Sequence, residues 1–419
     1  MPRAKSIKST RKLASGGGAK LTGEALLGGV LRASPRYQLV PLERLSAHER
    51  QGLAELGDEP DIYGLLLPCE PGPGSPAAKA VDCDTALLFL TLREPGPLPA
   101  YLRVAGGDAA SRALARLVAD GVLEVERGGD FVSGAAAFDP PGTAGRPRPG
   151  RPSGRLAELS RAALRHAAAL KIDDASLLAA KLYGYNRRPL TPLWRRQLGS
   201  TEDVPGFLGL SPRAPGPAEK DSPPTQPSGG GAWSHPERSG GWLVWRLRGR
   251  GSADLGTAAE AVFKLYVSPR PEALAGAGPP ILSALAAARP FQIKIGAAAG
   301  GLLRCDKLVA YFASFERLSE AAAGLAASLA GLPVQGVPFT AEIAGGGLLS
   351  WGVDPPAGRS AWQRNESWRQ RLTGRLAQAI VAARKAAHTE PWEFALERLR
   401  LDGIDTDTWT PGALAWREA

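Results

Sequence analysis

The chain has 419 residues, with 44% apolar and 22% charged residues and a formal net charge of +10. This length exceeds one small hydrophobic core, so we expect two or three domains. No run of about 18 apolar residues occurs, which argues against a membrane-spanning helix, and the basic start lacks the apolar core of a secretory signal. Three cysteines and four scattered histidines without metal-like spacing argue against a disulfide framework and a zinc site, so we expect a cytoplasmic protein without a cofactor.

Shifts in composition divide the chain into six predicted segments. They are a disordered basic arm at 1–22, a mixed α/β part with a possible winged-helix element at 23–138, a linker at 139–154, a helical part at 155–210, a Pro/Gly-rich linker at 211–240 and a final domain at 241–419. Together they predict an α+β, multidomain fold.

In the first half, the pattern predicts short strands and one strong helix. The apolar run Thr85–Leu92 predicts a buried strand. Asp108 begins a helical pattern that ends at Gly121, and two strands around Gly128–Gly129 follow, as in a winged helix. Such an element could bind DNA, could accept a peptide as an extra strand at an edge near Val122–Glu126, or could be purely structural.

The final domain alternates between strand and helix patterns. Strands are predicted at 242–247, 261–267, 291–295, 308–312 and 340–343, and helices at 279–288, 315–330 and 362–387. This order predicts a mostly antiparallel sheet with helices on one side.

Two lysines, Lys264 and Lys294, lie inside strands of this domain, each between two bulky apolar residues. In a strand those neighbours point to the opposite face, so both lysines could share one polar face. They are either solvated residues of a one-sided sheet or a convergent pair of cations. A convergent pair would bind a dianion through one lysine, while the other, desolvated, would take a proton.

A polar group follows at the mouth of the next strand. Arg304, Asp306 and Lys307 come directly before this strand, and Tyr311 lies within it. An arginine can hold a phosphate through two hydrogen bonds, and the other three residues would support the site. The Arg-x-Asp pattern fits equally well with a local ion pair.

The sequences FKLYVSPRPEAL, PFQIKIG and LLRCDKLVAYF, in this order, resemble the HopA-type effector family. Relatives of that family occur beside kinase-like proteins in the biosynthesis of class V lanthipeptides and thioamitides. The same order is similar to the phosphothreonine lyases and to the lyase domains of lanthipeptide synthetases, which remove phosphate from phosphoserine or phosphothreonine by β-elimination and leave a dehydroamino acid. The resemblance covers Val262–Tyr311 and leaves the first 240 residues uncovered.

The resemblance implies a role for each matching residue. Lys294 would take the α-proton, and Lys264 and Arg304 would hold the phosphate. The phosphothreonine lyases carry a histidine two residues after the first lysine, as the acid for the leaving group, and this chain has Tyr266 there. Tyrosine then takes over that role, a lysine or arginine assists the leaving phosphate, or catalysis is lost.

The sequence therefore predicts a phosphoserine/phosphothreonine lyase. Its substrate would be a ribosomally synthesised precursor peptide, phosphorylated by a separate kinase-like protein. One alternative is a catalytically degenerate protein that binds the phosphopeptide or precursor. Another is a DNA-binding regulator, which the basic charge permits but which has no need of lysines inside strands, so nucleic acid is the less favoured partner.

Overall fold

The structure is a computed structural model. It describes residues 26–46, 62–70, 78–100, 102, 107–138, 150–200, 203–209, 237–247, 262–275, 278–354, 366–388 and 390–412. The predicted arm at 1–22 and most of both predicted linkers lie outside these residues. The described parts combine helices with antiparallel sheets, which confirms the α+β fold. None of the helices described in these ranges is both long and apolar enough to cross a bilayer.

The amino-terminal part contains two small antiparallel sheets. Its elements are β1 (Val30–Ala33), β2 (Tyr37–Pro41), β3 (Ile62–Pro68), β4 (Lys79–Asp82), α1 (Cys83–Thr91), β5 (Gly96–Pro97), α2 (Asp108–Ala119), β6 (Leu123–Arg127), β7 (Asp130–Val132) and α3 (Ala135–Phe138). The strand orders are β5-β1-β6-β7 and β2-β3-β4.

The strand predicted at Thr85–Leu92 is wrong, because this run forms helix α1. The Asp82 carboxylate caps the first turn of the helix by accepting a backbone N–H. Leu87 and Leu90 are exposed whereas Phe89 is buried, a distribution with helical spacing. A continuous apolar run fits a buried strand and a buried helix equally well. The Asp82 cap and the packing of the buried side chains therefore decided that this segment is a helix.

Helix α2, strand β6, the Gly128–Gly129 turn and strand β7 follow one another as predicted. Both glycines have positive φ values, 63° and 93°, which this tight turn requires. The edge predicted near Val122–Glu126 is wrong, since β6 pairs with β1 on one side and with β7 on the other. Its backbone groups are therefore already engaged, and no peptide can add to β6.

The rest of the chain is built around one large antiparallel sheet. Its helices are α4 (Arg155–Ala169), α5 (Ala175–Tyr183), α6 (Pro192–Gln197), α7 (Asp203–Phe207), α8 (Gly278–Ala287), α9 (Ala299–Leu302), α10 (Phe315–Ser328), α11 (Trp368–Lys385) and α12 (Pro391–Leu401). Its strands are β8 (Glu237–Ser239), β9 (Trp242–Arg246), β10 (Val262–Val267), β11 (Gln292–Gly296), β12 (Leu308–Phe312), β13 (Ala341–Ala344), β14 (Leu349–Asp354), β15 (Ile404–Asp405) and β16 (Thr410–Pro411). The sheet has the order β13-β14-β10-β12-β11-β9-β8, and β15 pairs with β16.

Each strand and helix predicted for the final domain is present, with ends shifted by a few residues. Strand β8 is an addition, formed by the last residues of the predicted 211–240 linker. The predicted placement of helices on one side is wrong. Helices α8 and α10 cover the face that contains Leu265 and Ile293, while Trp368 at the start of α11 lies against Gly352 on the opposite face, where a side chain would collide with its indole.

The helical segment at 155–209 and the large sheet share their hydrophobic cores. Trp194 and Val204 belong to the same buried cluster as the apolar face of the sheet. Leu178 of α5 belongs to a second cluster with Trp368 and Leu376 of α11. These helices therefore fold together with the sheet, because each would otherwise expose large apolar side chains.

Candidate functional site

The strand order brings the two lysines to one face of the sheet. Strand β12 lies between β10 and β11, and Lys264 pairs with Tyr311 while Lys294 pairs with Val309. The Nζ atom of Lys264 lies 5.2 Å from the centre of the Tyr311 ring, and the Nζ atom of Lys294 lies 5.1 Å from it. We call Lys264, Lys294 and Tyr311 the lysine cradle. Both lysines therefore lie on one face of the sheet and contact the same ring.

The two lysines of the cradle differ in their electrostatic surroundings. Lys264 is only 7% exposed, and its ammonium pairs with the Asp354 carboxylate at the end of β14. Burial lowers the pKa of Lys294, and the charges of Lys264 and Arg246 lower this pKa further, against the opposing effect of Asp354. Lys264 is thus paired with a carboxylate, while Lys294 loses its proton more readily than an ordinary lysine.

Tyr266 lies on the same face, between Val309 of β12 and Ser350 of β14. It is 3% exposed, and burial raises its pKa well above the usual value. Burial also raises the pKa of Tyr311. Both phenols therefore keep their protons at neutral pH. The neighbouring Ser350 hydroxyl is buried without a hydrogen-bond partner among the described residues.

Asp306 is the centre of a saturated ion-pair network. Its Oδ1 accepts a hydrogen bond from Nε of Arg304 at 2.7 Å, and its Oδ2 accepts from Nη2 of Arg304 at 2.8 Å. Oδ2 also accepts from Nη1 of buried Arg369 at 2.7 Å and from the Tyr183 hydroxyl at 3.1 Å. Burial alone would raise the pKa of Asp306, but the two guanidinium charges outweigh it and hold this pKa well below its usual range. The Arg-x-Asp pattern is thus a local ion pair.

Arg304 lies beside the lysine cradle and not within it. Its guanidinium carbon lies 5.5 Å from the centre of the Tyr183 ring and 5.0 Å from the centre of the Trp242 ring. Trp242 pairs with Gly296, two residues beyond Lys294 along β11. Because side chains two residues apart in a strand share a face, the Trp242 ring that contacts Arg304 lies on the same face of the sheet as Lys294.

Lys307 is fully buried below this region. Its ammonium donates hydrogen bonds to the carbonyl oxygen of Pro269 at 2.8 Å and to Oε1 of Gln335 at 2.7 Å. Burial lowers its pKa to about 7. Lys307 therefore links three segments beneath the site and is not accessible to a ligand.

A cavity of about 530 Å³ opens next to Arg304. Its walls include Ser176, Ala180 and Tyr183 from α5, Gln370 and Thr373 from α11, and Arg187, Arg304 and Asp306. Neither lysine of the cradle lines this cavity. The described part of the chain holds no group of three or more His, Cys, Asp or Glu side chains that could bind a metal ion.

Sequence reasoning missed Tyr183, Asp354 and Arg369. In the sequence, Asp306 is separated from its partner Arg369 by 63 positions and from its partner Tyr183 by 123 positions. Tyr183 opens the aromatic and basic stretch at 183–196, and Arg369 lies in a helix with many arginines, so the residue types were visible but their partners were not.

The chain matches no protein-family model, and no curated protein matches it. Among solved structures it is similar to the effector protein from Pseudomonas syringae pv. syringae strain 61, with 13% identity and a TM-score of 0.35, over 62% of this chain and 100% of that chain. It is also similar to the effector protein from Pseudomonas syringae pv. tomato strain DC3000, with 10% identity and a TM-score of 0.37, over 61% of this chain and 98% of that chain.

Proposed function

We propose that the lysine cradle is the active site of a lyase that eliminates phosphate from phosphoserine or phosphothreonine in a peptide. The observation that carries this proposal is the pair of lysines beside Tyr311, one paired with the Asp354 carboxylate and the other with a lowered pKa. An elimination of this kind needs a base for the α-proton and a cation for the departing dianion, and the cradle supplies both.

In the proposed step, the neutral amine of Lys294 takes the proton from Cα of the phosphorylated residue. The electrons of the Cα–H bond form the Cα=Cβ double bond, and the Cβ–O bond breaks with its electron pair on the phosphate. The product is a dehydroamino acid together with inorganic phosphate. The Lys264 ammonium stabilises the leaving phosphate, whose freed oxygen takes a proton from water to give the dianion, and Lys294 later returns its own proton to solvent.

Tyr266 would assist the leaving group as a hydrogen-bond donor. It lies on the cradle face next to the position of Lys264, and its raised pKa keeps the hydroxyl protonated. Burial also makes this phenol a weaker acid than a histidine, so Lys264 would carry the larger share of the charge stabilisation.

The substrate of the proposed reaction must first be phosphorylated. The sequence contains neither a GxxxxGK[ST] loop nor the GxGxxG loop with which protein kinases cover the ATP phosphates. We therefore propose that a separate kinase-like protein phosphorylates a precursor peptide, which this protein then converts.

The test is to incubate the full chain with a phosphoserine peptide and to measure the product by mass spectrometry. Elimination lowers the peptide mass by that of phosphoric acid, whereas hydrolysis regenerates serine. Lys294→Arg is the matched control, because a guanidinium stays protonated and cannot act as a base. Regenerated serine, or full activity in Lys294→Arg, would overturn the proposal.

A protein that binds phosphopeptides without converting them is the second candidate. It is favoured by the burial of Tyr266 at the position of the acid and by the engagement of Arg304 with Asp306. Tight phosphopeptide binding without any mass loss would identify it.

A further inference from the structure

Arg304 has an edge of its guanidinium that the ion-pair network leaves open. Its Nε and Nη2 atoms donate to Asp306, and Nη2 also donates to the Tyr183 hydroxyl. In the described part of the chain, Nη1 has no hydrogen-bond partner. The side chain is 30% exposed and lines the cavity of about 530 Å³. Two N–H donors are thus available to a ligand in this cavity.

The charges around the cavity leave an excess of positive charge. Asp306, the one acidic residue that lines it among the described residues, is shared by Arg304 and Arg369. Arg187 adds a further cation at the exposed rim, where its Nη2 donates to the Gly300 carbonyl at 2.8 Å. An anionic group would therefore be attracted to this cavity.

The guanidinium of Arg304 is also held rigidly. The guanidinium contacts the rings of Tyr183 and Trp242, and buried Arg369 fixes the carboxylate to which it is bound. A donor that is already oriented loses little conformational entropy when a ligand binds, so the Nη1 group of Arg304 favours binding of an oxyanion such as a carboxylate.

We propose that the Arg304 cavity binds the carboxylate of an aspartate or glutamate that lies near the phosphorylated residue in the peptide substrate. The placement of this acidic residue near the phosphorylated one rests on the proposed function, whereas binding of a carboxylate in the cavity does not.

The test uses two fluorescein-labelled phosphoserine peptides that are identical except for glutamate or glutamine at the two positions on each side. Fluorescence anisotropy measures binding to the full chain, and mass spectrometry measures elimination in parallel. The glutamate peptide should bind about tenfold more tightly, the effect of one charge-assisted hydrogen bond. In Arg304→Gln this preference should fall to about twofold or less.

Arg187→Gln provides a second variant at an exposed position, and it should reduce the preference for glutamate several-fold. Arg196→Gln is the matched control, because Arg196 is exposed on α6 and does not line the cavity. Equal binding of both peptides to the wild type would overturn this inference, as would an equal loss of preference in Arg196→Gln. Absence of elimination with a persistent glutamate preference would overturn the proposed function alone.

Discussion

Replacing Lys264 with methionine should raise the pKa of Lys294. The Nζ atoms of the two lysines lie 5.2 Å and 5.1 Å from the centre of the same ring, which limits their separation to about 10 Å. At that separation and an effective dielectric constant of about 20, two unit charges repel by about 1.6 kcal/mol. Solvent screening at the exposed side of Lys294 weakens this repulsion, and its removal in Lys264→Met raises the pKa of Lys294.

The sign of the effect follows from the role of Lys294. In the wild type, burial and the Lys264 charge lower the pKa of Lys294, which increases the fraction of neutral amine at neutral pH. Removing the Lys264 charge raises this pKa, so the fraction of neutral amine at neutral pH falls. The ascending limb of the pH–rate profile should therefore move to higher pH.

The assay is an NMR titration of lysine labelled with ¹³C at Cε, in which the Lys294 signal is assigned by its loss in Lys294→Arg. Lys264→Arg is the matched control, because it keeps the positive charge and should leave the pKa of Lys294 close to the wild-type value. Asp354→Asn removes an opposing negative charge and should lower this pKa. An unchanged Lys294 pKa in Lys264→Met, or an equal rise in Lys264→Arg, would refute the electrostatic coupling.

Three further substitutions test the structure around the site, each by urea denaturation. Asp306→Asn leaves buried Arg369 without its carboxylate and should cost about 3–5 kcal/mol at pH 7. Because the pKa of Asp306 is held well below its usual value, this cost should shrink as the pH falls below about 4, and a constant cost would contradict the assignment. Leu178→Ala should cost about 2–5 kcal/mol in one shared unfolding transition, and a separate early transition of the helices would contradict the shared core. Gly352→Ala should cost about 1–3 kcal/mol because the new methyl group collides with Trp368, and unchanged stability would contradict that contact.

Local patterns predicted most elements of the final domain. In the alternating pattern around Lys264 and Lys294, each lysine points to one face of the sheet and its two apolar neighbours point to the other. This arrangement does not depend on which strands pair with them. The same reasoning failed at Thr85–Leu92, where every residue but the first and seventh is apolar. Such a run shows neither the two-residue period of a strand nor the 3.6-residue period of a helix. The reasoning also failed for the edge near Val122–Glu126, since the partner β1 lies about ninety residues earlier in the chain.

The sequence by itself determined that both lysines avoid the apolar core, because the side-chain period of a strand is a local property of the backbone. Only the tertiary structure decided that the lysines converge, because insertion of β12 between β10 and β11 sets their common position beside Tyr311. The tertiary structure also decided the surroundings of Arg304. Its partner Asp306 is only two residues away, but Asp306 accepts further hydrogen bonds from Arg369 and Tyr183, which lie in helices that are distant in the sequence. Charge pairing across such sequence separations depends on which surfaces pack together, and that is a property of the whole fold.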